Sequence, residues 1–448
     1  MRKLLPLSIL LLAASTAASA QTYTVIHSFG SRAGDPSRPS AWPGTIAQSR
    51  GGAMFTTGGG DAFRVWPGGD VQVLHQFGAT NPVVGGLTLA TGGQYYGTTQ
   101  QGGTYKTGTI FKMSQHGNVT TLYEFQNGSD AGFPSAVPIQ SVEGDFYGTA
   151  GAGGQYASVY RITKDGNFTL LHGFTGADGN TPFAPLLQGT DYYFYGTMAY
   201  GGEGDHGTIF RVNSSGDFKV LVKFNGTNGW SPYSGLIQAN DGNFYGVTYH
   251  GGVTNAGVLF RITPDGTLTV LHNFSGGSDG GESTGGLVQA SDGNLYGANI
   301  SGGKYGHGVL FRATLAGEVV PLHTFIQASG VDAYSALLQH TNGKLYGCTY
   351  NGGKFGEGVF YSLDAGLPPF VTYLPTYGRP GALVQILGQG FTADSKVSFE
   401  GAPATSPVVV YPTYIRVIVP AGATTGPITV TTANGTLSSN KVFIVHPQ

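Results

Sequence analysis

The chain repeats a pattern of four short apolar runs separated by polar turns. In residues 234–274 the runs read "SGLIQA", "NFYGVT", "GVLFRI" and "TLTVLHNF", with "NDG" inside the first pair and "PDG" inside the last. Short runs rich in Val, Ile, Tyr and Phe and bounded by Gly or Asn are typical of β-strands. Each unit therefore predicts a four-stranded antiparallel sheet.

The same unit occurs seven times. A Tyr-Gly pair recurs about every 50 residues from Tyr96 to Tyr346, after a degraded copy at Phe55. This period, without helical periodicity, predicts an all-β fold, a seven-bladed β-propeller. The seventh unit lacks its fourth run, whereas "TVIHSF" at 24–29 has no unit of its own. We therefore predict that this N-terminal run completes the last blade by pairing with "GVFYSL" at 358–363.

The spacing of the apolar runs changes after a linker, "DAGLPP", at 364–369. Strand-like runs then continue, punctuated by Gly, Pro and Asn about every ten residues, as in a small β-sandwich. The segments "PTYGRPGALVQILGQGF" and "VPAGATTGPITVTTANG" resemble an IPT/TIG domain, which has an immunoglobulin-like fold. We assign that domain to residues 370–448. The resemblance implies protein contact or spacing and not catalysis.

The propeller units also resemble a known bacterial repeat. The phrases "YGTTQQGG", "YGTMAYGG" and "YGVTYHGG", each followed by a strand such as "GTIFRV", are similar to the GloVer tandem repeat of secreted "choice-of-anchor" proteins. The resemblance covers residues 22–363 and implies no particular activity.

The N-terminus predicts secretion. Arg2 and Lys3 precede an apolar run, Leu4–Ala14, and the small residues Ala18-Ser19-Ala20 form a cleavage site, so residues 1–20 read as a signal peptide cleaved after Ala20. The propeller would then occupy residues 21–363. No later stretch reaches the roughly 20 apolar residues that a membrane span needs. We expect an extracellular or periplasmic monomer.

The charge of the chain restricts the classes of partner, and its cysteine content excludes an internal disulfide. The formal net charge is −2, from 22 basic and 24 acidic residues, and only 10% of residues are charged. We expect no nucleic-acid partner, because binding phosphates requires a concentrated basic surface. Cys348 is the single cysteine, so no intramolecular disulfide is possible. It replaces small residues of other units, which predicts a buried, inert thiol.

The long loops should share one face of the propeller, since connections in an antiparallel blade alternate between its two ends. Loops on a rigid scaffold often carry binding residues. We take as candidates the residues there that do not repeat between units: Trp42, Tyr105, Tyr156, Glu203, Asp205, His206, Trp230, Tyr233, His250, Lys304, Tyr305, His307, Lys354, Phe355 and Glu357. Aromatic rings among scattered polar groups suit glycan stacking, although they equally suit residues that cover loop ends.

Two repeated features raise the question of metals. A histidine recurs in the last strand of the units at positions 27, 75, 172, 272 and 323, and we interpret it as scaffold because equivalent residues lie far apart in different blades. Calcium is the better metal candidate, at "GSDAG" (128–132), "GADGN" (176–180) and "GGSDGG" (276–281). Turns capped by aspartate explain the same segments. We expect no other cofactor.

The sequence thus favours a secreted, non-enzymatic binding or surface protein that recognises a glycan, cell-surface or protein partner through its long-loop face. One alternative is an extracellular carbohydrate-active enzyme, a hydrolase or lyase, with its site at the propeller mouth. Two carboxylates about 5–10 Å apart there would favour it. A second alternative is a structural envelope protein.

Overall fold

A computed structural model describes residues 21–39, 44–78, 81–126, 128, 130–151 and 157–446. Seven antiparallel sheets, here called blades one to seven, precede a β-sandwich, as predicted. Two short 3-10 helices, Glu203–Asp205 and Gln327–Ser329, lie in loops. The strands of the blades are β1 Thr22–Ser28; β2 Ala47–Gln48, β3 Met54–Gly58, β4 Asp61–Val65 and β5 Val71–Gln76; β6 Val83–Leu89, β7 Tyr95–Thr99, β8 Thr109–Met113 and β9 Val119–Glu124; β10 Ile139–Gln140, β11 Phe146–Ala150, β12 Ser158–Ile162 and β13 Phe168–Gly173; β14 Leu187–Gln188, β15 Phe194–Met198, β16 Thr208–Val212 and β17 Phe218–Lys223; β18 Ile237–Gln238, β19 Phe244–Val247, β20 Val258–Ile262 and β21 Leu268–Asn273; β22 Gly281–Ser283, β23 Val288–Gln289, β24 Leu295–Ser301, β25 Val309–Ala313 and β26 Val319–Thr324; β27 Leu338–Gln339, β28 Leu345–Thr349 and β29 Val359–Asp364.

The N-terminal strand closes the ring, as predicted. Blade seven has the order β1-β29-β28-β27, and β1 pairs antiparallel with β29 from Thr22 opposite Asp364 to Ser28 opposite Val359. Phe29 is fully buried and packs edge-on against Phe63 of blade one. The two ends of the propeller chain therefore share one sheet, which leaves no open edge between the first and last blades.

Aromatic residues fill the spaces between blades. The tyrosine of a second strand stacks on the residue before the equivalent tyrosine of the next blade, as in Tyr96 with Phe146 and Tyr147 with Phe194, where ring centroids lie 3.7 and 3.8 Å apart. Cys348 is fully buried among these layers, as predicted. The third-strand phenylalanines are likewise buried in the core: Phe63, Phe111, Phe210, Phe260, Phe311 and Phe360.

A ring of glutamines, not predicted from the sequence, joins the blades at the tight-turn end of the innermost strands. Each side-chain Oε1 accepts a hydrogen bond of 2.8 to 3.0 Å from a backbone N–H in the turn of the preceding blade. Leu89 holds this position in blade two, so the junction of blades one and two lacks the bond. The glutamine ring consists of Gln48, Gln140, Gln188, Gln238, Gln289 and Gln339.

The C-terminal domain begins at β30, beyond the predicted linker at 364–369. One sheet has the order β30-β32-β36-β35 and the other β31-β38-β37-β33-β34, and their apolar inner faces enclose one core. Among the described residues, no helix is long and apolar enough to cross a membrane. The strands are β30 Thr372–Leu374, β31 Tyr377–Gly378, β32 Leu383–Leu387, β33 Lys396–Phe399, β34 Ala402–Pro403, β35 Val408–Tyr411, β36 Tyr414–Ile418, β37 Gly426–Thr432 and β38 Gly435–Val445.

This domain docks on the tight-turn face of the propeller, at the gap in the glutamine ring. Gln385 Nε2 donates to Thr91 O at 2.5 Å, and Arg50 Nη2 donates both to Thr91 O at 2.8 Å and to Gln385 Oε1. The Arg50 guanidinium also lies 5.0 Å from the ring centroid of Tyr414. The C-terminal domain thus supplies a link where Leu89 cannot.

Candidate functional site

The long-loop face lies opposite the docked domain. Non-glycine residues with φ between 46 and 61° recur at one position of the loops that enter the blades. A side chain in this left-handed region costs free energy, and such conformations concentrate at functional sites. Each of these residues lies shortly before an innermost strand, so the turn shapes the rim of the ring. They are Arg38, Phe133, Thr181, Ser231, Glu282 and Asp332.

Seven side chains on the loops of blades four and five form a continuous chain of ring contacts, here called the aromatic arc. Neighbouring ring centroids lie between 4.4 and 6.1 Å apart. The hydroxyls of Tyr200 and Tyr233 are 2.5 Å apart, which fixes the centre of the arc. Its members are Phe183, Tyr200, Tyr233, Tyr249, His250, Trp230 and His206.

Two carboxylates adjoin the arc. Burial raises the pKa of Tyr249. The negative charges of Glu282, which accepts a hydrogen bond from the Tyr249 hydroxyl, and of Asp332 raise this pKa further. The Asp332 carboxylate also accepts a 2.8 Å hydrogen bond from Asn351 Nδ2. Both acids belong to the left-handed positions and are partly exposed. The rim thus carries hydrogen-bond acceptors beside flat apolar rings.

A second aromatic pair continues the rim into blades seven and one. Tyr334 and Tyr350 have ring centroids 5.7 Å apart, and the Arg38 guanidinium lies 5.4 Å from the centroid of Tyr350. Arg38 Nε also lies 3.6 Å from the Glu357 carboxylate, in an exposed ion pair. This part of the rim is the more charged.

Two nitrogens of the arc keep unused hydrogen-bonding capacity. Trp230 Nε1 and His250 Nδ1 are inaccessible to solvent and have no hydrogen-bond partner among the described residues. Buried polar atoms are usually paired, and unpaired ones often mark bound water or a ligand.

The structure brings together four of the residues predicted for the site: His206, Trp230, Tyr233 and His250. It places Tyr105, Tyr305 and Phe355 apart from the arc, on outer loops where 53%, 52% and 44% of their surface is exposed. Predicted Trp42 and Tyr156 lie outside the described residues.

The remaining predicted residues also lie on the outer Gly-rich loops. Lys304 and Lys354 each place an ammonium over the ring of the next residue, at 5.2 and 5.3 Å. Asp205 Oδ1 accepts a 2.6 Å hydrogen bond from Gly201 N and so caps its own turn. Glu203 is exposed and His307 partly so, while Glu357 contacts Arg38 as described.

Sequence reasoning missed Tyr200, Tyr249, Tyr350, Glu282 and Asp332. The tyrosines follow the Tyr-Gly phrase at the end of a second strand and resembled the repeated scaffold. Their residue type is not kept in every unit, however: Gln100 and Ile300 stand where Tyr249 and Tyr350 do. Position-by-position comparison of the units would have revealed them.

The aspartates of the candidate calcium loops are used by the scaffold. Asp178 accepts hydrogen bonds from the Thr175 backbone and from His172, both at 2.8 Å, and Asp279 contacts His272 at 2.9 Å. Asp130 accepts bonds from two backbone N–H groups and a tyrosine. Within the described ranges, no group of three or more His, Cys, Asp or Glu side chains could hold a metal ion.

Solved structures support the fold. The chain is similar to a catalytically inactive virginiamycin B lyase from Staphylococcus aureus in complex with quinupristin, at 13% identity, a TM-score of 0.53, and coverage of 77% of this chain and 99% of that one. It is also similar to a fungal alcohol oxidase in complex with copper, at 15% identity, a TM-score of 0.50, and coverage of 91% and 98%. At these identities the likeness concerns the fold alone. No curated protein sequence matches the chain.

Family profiles match nearly the whole chain. The Gloeobacter/Verrucomicrobia repeat matches residues 16–208 and 185–382, and the IPT/TIG domain matches residues 368–445. Both assignments agree with the architecture described above. The chain belongs to the Gloeobacter/Verrucomicrobia repeat family and carries a C-terminal IPT/TIG domain.

Proposed function

We propose that this protein is secreted and binds a glycan at a cell surface through the long-loop face of its propeller, without chemical change to the glycan. The observation that carries the proposal is the aromatic arc, flanked by Glu282 and Asp332, on the face that the IPT/TIG domain leaves open.

The chemistry of the arc suits a sugar. Pyranose rings present apolar C–H faces that pack on aromatic rings, while their hydroxyls donate hydrogen bonds to carboxylates and accept them from N–H and O–H groups. Tyrosine, tryptophan and histidine combine both kinds of surface in one side chain. The low charge of the chain agrees with a neutral or weakly charged ligand.

The test is a glycan array probed with the mature full-length chain, followed by calorimetric titration of the glycans retained. Tyr249→Ala removes a ring that contacts both Tyr233 and His250. We expect it to weaken binding about three- to tenfold, the effect of losing one aromatic contact of about 0.5–1.5 kcal/mol.

Tyr105→Ala is the matched control, since Tyr105 is an exposed tyrosine on the same face but outside the arc. It should bind like the parent. Equal loss in both variants, or retention of no glycan by the parent, would contradict the proposal and favour a protein partner or a structural role.

The geometry also supports a second candidate, a glycan hydrolase or lyase. Its specific observation is that two carboxylates, Glu282 and Asp332, occupy equivalent left-handed positions on adjacent blades beside the arc. Prolonged incubation with any retained glycan would separate the two functions. Cleavage that is abolished by Glu282→Gln would replace binding with catalysis, whereas an unchanged glycan supports binding alone.

A further inference from the structure

A second candidate site lies on the opposite face, between blade two and the IPT/TIG domain. A cleft of about 530 Å³ separates the propeller from the sheet formed by β30, β32, β36 and β35. Arg50 and His116 lie on the propeller wall, and Gln385, Tyr411 and Arg416 on the other. Sites for small molecules commonly measure about 300–1,000 Å³, so the cleft is large enough for one.

The cleft is electropositive, although the chain has a formal net charge of −2. Arg50, Arg416 and His116 line it, and no Asp or Glu is among the described lining residues. In the part of the chain that the structure describes, neither guanidinium belongs to an ion pair. Two uncompensated cations that face one cavity favour an anionic ligand.

Arg50 is held in place before any ligand arrives. Its Nη2 donates to Thr91 O and Gln385 Oε1, and its guanidinium lies over the ring of Tyr414. Its Nε is buried without a hydrogen-bond partner among the described residues. A fixed guanidinium loses little conformational freedom when it binds an anion, and its positive charge attracts a carboxylate.

The remaining wall is apolar and accessible. Leu383, Val410 and Tyr411 line the cleft and expose 42%, 42% and 44% of their surface. Inorganic phosphate or acetate would leave these surfaces unused. A ligand with a carboxylate on a ring that also has an apolar face would contact both walls.

We propose that this cleft binds a uronic acid, either free or at the end of a short oligosaccharide. The carboxylate lies between Arg50 and Arg416, and the sugar ring packs on Tyr411. The site is separate from the aromatic arc, so the proposal does not depend on the function assigned to the long-loop face.

Calorimetric titration of the mature full-length chain with glucuronic and galacturonic acids and their short oligomers tests the proposal. Glucose and galactose serve as neutral controls and should bind at least tenfold more weakly. Arg416→Gln should weaken uronate binding about tenfold or more, because a charge-assisted bond is lost. The Arg416 side chain is exposed and makes no hydrogen bond among the described residues, so the variant should melt like the parent.

Arg379→Gln is the matched control, because Arg379 is an exposed arginine of the same domain that does not line the cleft. It should bind uronate normally, as should Tyr249→Ala on the other face. Uronate binding that is absent, equal to that of neutral sugars, or unaffected by Arg416→Gln would overturn the proposal. Preference for a sulfated hexose would also overturn the assignment to a carboxylate.

Discussion

His323 stacks flat on Tyr23, with ring centroids 3.8 Å apart and an interplanar angle of 1°. Phe325 contacts both rings edge-on, and Ser329 Oγ lies 3.5 Å from His323 Nε2. Burial in this setting lowers the pKa of His323 to about 4. Because Tyr23 belongs to β1, the neutral state of this histidine supports the contact between blade six and the closing strand.

We therefore predict that stability falls as the pH is lowered from 6.5 to about 4. The unfolded chain binds a proton on His323 near its ordinary pKa of 6.5, whereas the folded chain binds it only near 4. In that window the unfolded state holds more protons and gains population. Denaturant melts at pH 7 and pH 4.5 measure how much free energy of unfolding is lost between these pH values. In His323→Phe this loss should be smaller than in the parent by about 1–2 kcal/mol, a figure reduced to allow for the partial exposure of His323.

His116→Gln, at an exposed histidine on a tight turn, should leave the pH dependence unchanged. The carboxylates of Asp178 and Asp279 affect stability only at lower pH. Hydrogen bonds from Thr175 or Ser275 and from histidine outweigh burial and lower both pKa values below 3.8, so their contribution is lost only in stronger acid. A His323→Phe variant with the parent's loss between pH 7 and 4.5 would contradict the assignment.

At the scale of residues, the sequence predicted burial better than it predicted the site. Phe111 and Cys348 could be placed in the core because their positions repeat with apolar or small residues. Tyr249 and Glu282 could not be placed together, since they lie 33 residues apart in different units and meet only through the curvature of the ring. Contacts of that kind are set by tertiary geometry and leave no local pattern.

The glutamine ring shows how an element too short to stabilise itself is held. The innermost strands have only two residues in most blades, so they offer few ladder hydrogen bonds. Gln339 compensates with two bonds to blade six: its Oε1 accepts from the Ser291 backbone N–H and its Nε2 donates to Ser291 Oγ, both at 2.9 Å. It is 6% exposed.

Gln339→Leu should lower the free energy of unfolding by about 1–3 kcal/mol, because it leaves the part-buried Ser291 N–H without its partner. Gln238→Leu is the graded control, since Gln238 makes the equivalent bond to Thr190 N at 2.9 Å but is half-exposed, so water replaces it. Its cost should stay below about 1 kcal/mol. Equal costs in urea melts would show that burial does not set the strength of these links.

Strand β1 is the element on which the ring depends most. Deletion of residues 21–29 removes the whole pairing with β29 and the buried Phe29, and it exposes an edge strand. We expect a loss of more than about 5 kcal/mol, comparable with the total stability of a domain, seen as unfolding or aggregation at room temperature.

A synthetic peptide of residues 21–29 should restore a cooperative melt to the truncated chain, whereas a scrambled peptide should not. A truncated chain that melts like the parent would show that the ring closes without β1.

The strands were predictable because their apolar runs and Gly-rich turns repeat seven times, and the closure followed from one missing run. The glutamine ring was not, since "LIQA" or "LLQG" differs from an ordinary strand end only by its partner in the preceding blade. Leu89 can be recognised as the position that interrupts the ring only when the ring itself is known.

At the scale of the molecule, the two faces of the propeller differ in role. The IPT/TIG domain occupies the tight-turn face through Arg50, Gln385 and Thr91, and also through a 2.8 Å bond from Gln389 Nε2 to Thr341 Oγ1. Its position could not be read from the sequence, because it depends on contacts between residues far apart in the chain, such as Arg50 with Gln385 and Tyr192 with His446. The domain therefore adds hydrogen bonds at the junction of blades one and two, where the glutamine bond is missing, and leaves the long-loop face open.

This coupling predicts that Gln385→Leu separates the unfolding of the two domains. The substitution keeps the volume but removes the bonds to Arg50, Thr91 and Tyr414, leaving the Arg50 guanidinium half-buried with fewer partners. In calorimetry the IPT/TIG domain should unfold at a lower temperature, and the propeller should lose about 1–3 kcal/mol at the junction of blades one and two. Asn434→Ala, in an exposed hairpin of the same domain, should change neither transition. A Gln385→Leu variant that unfolds in the parent's pattern would mean that the other contacts alone hold the domain, and that the junction beside Leu89 needs no support from it.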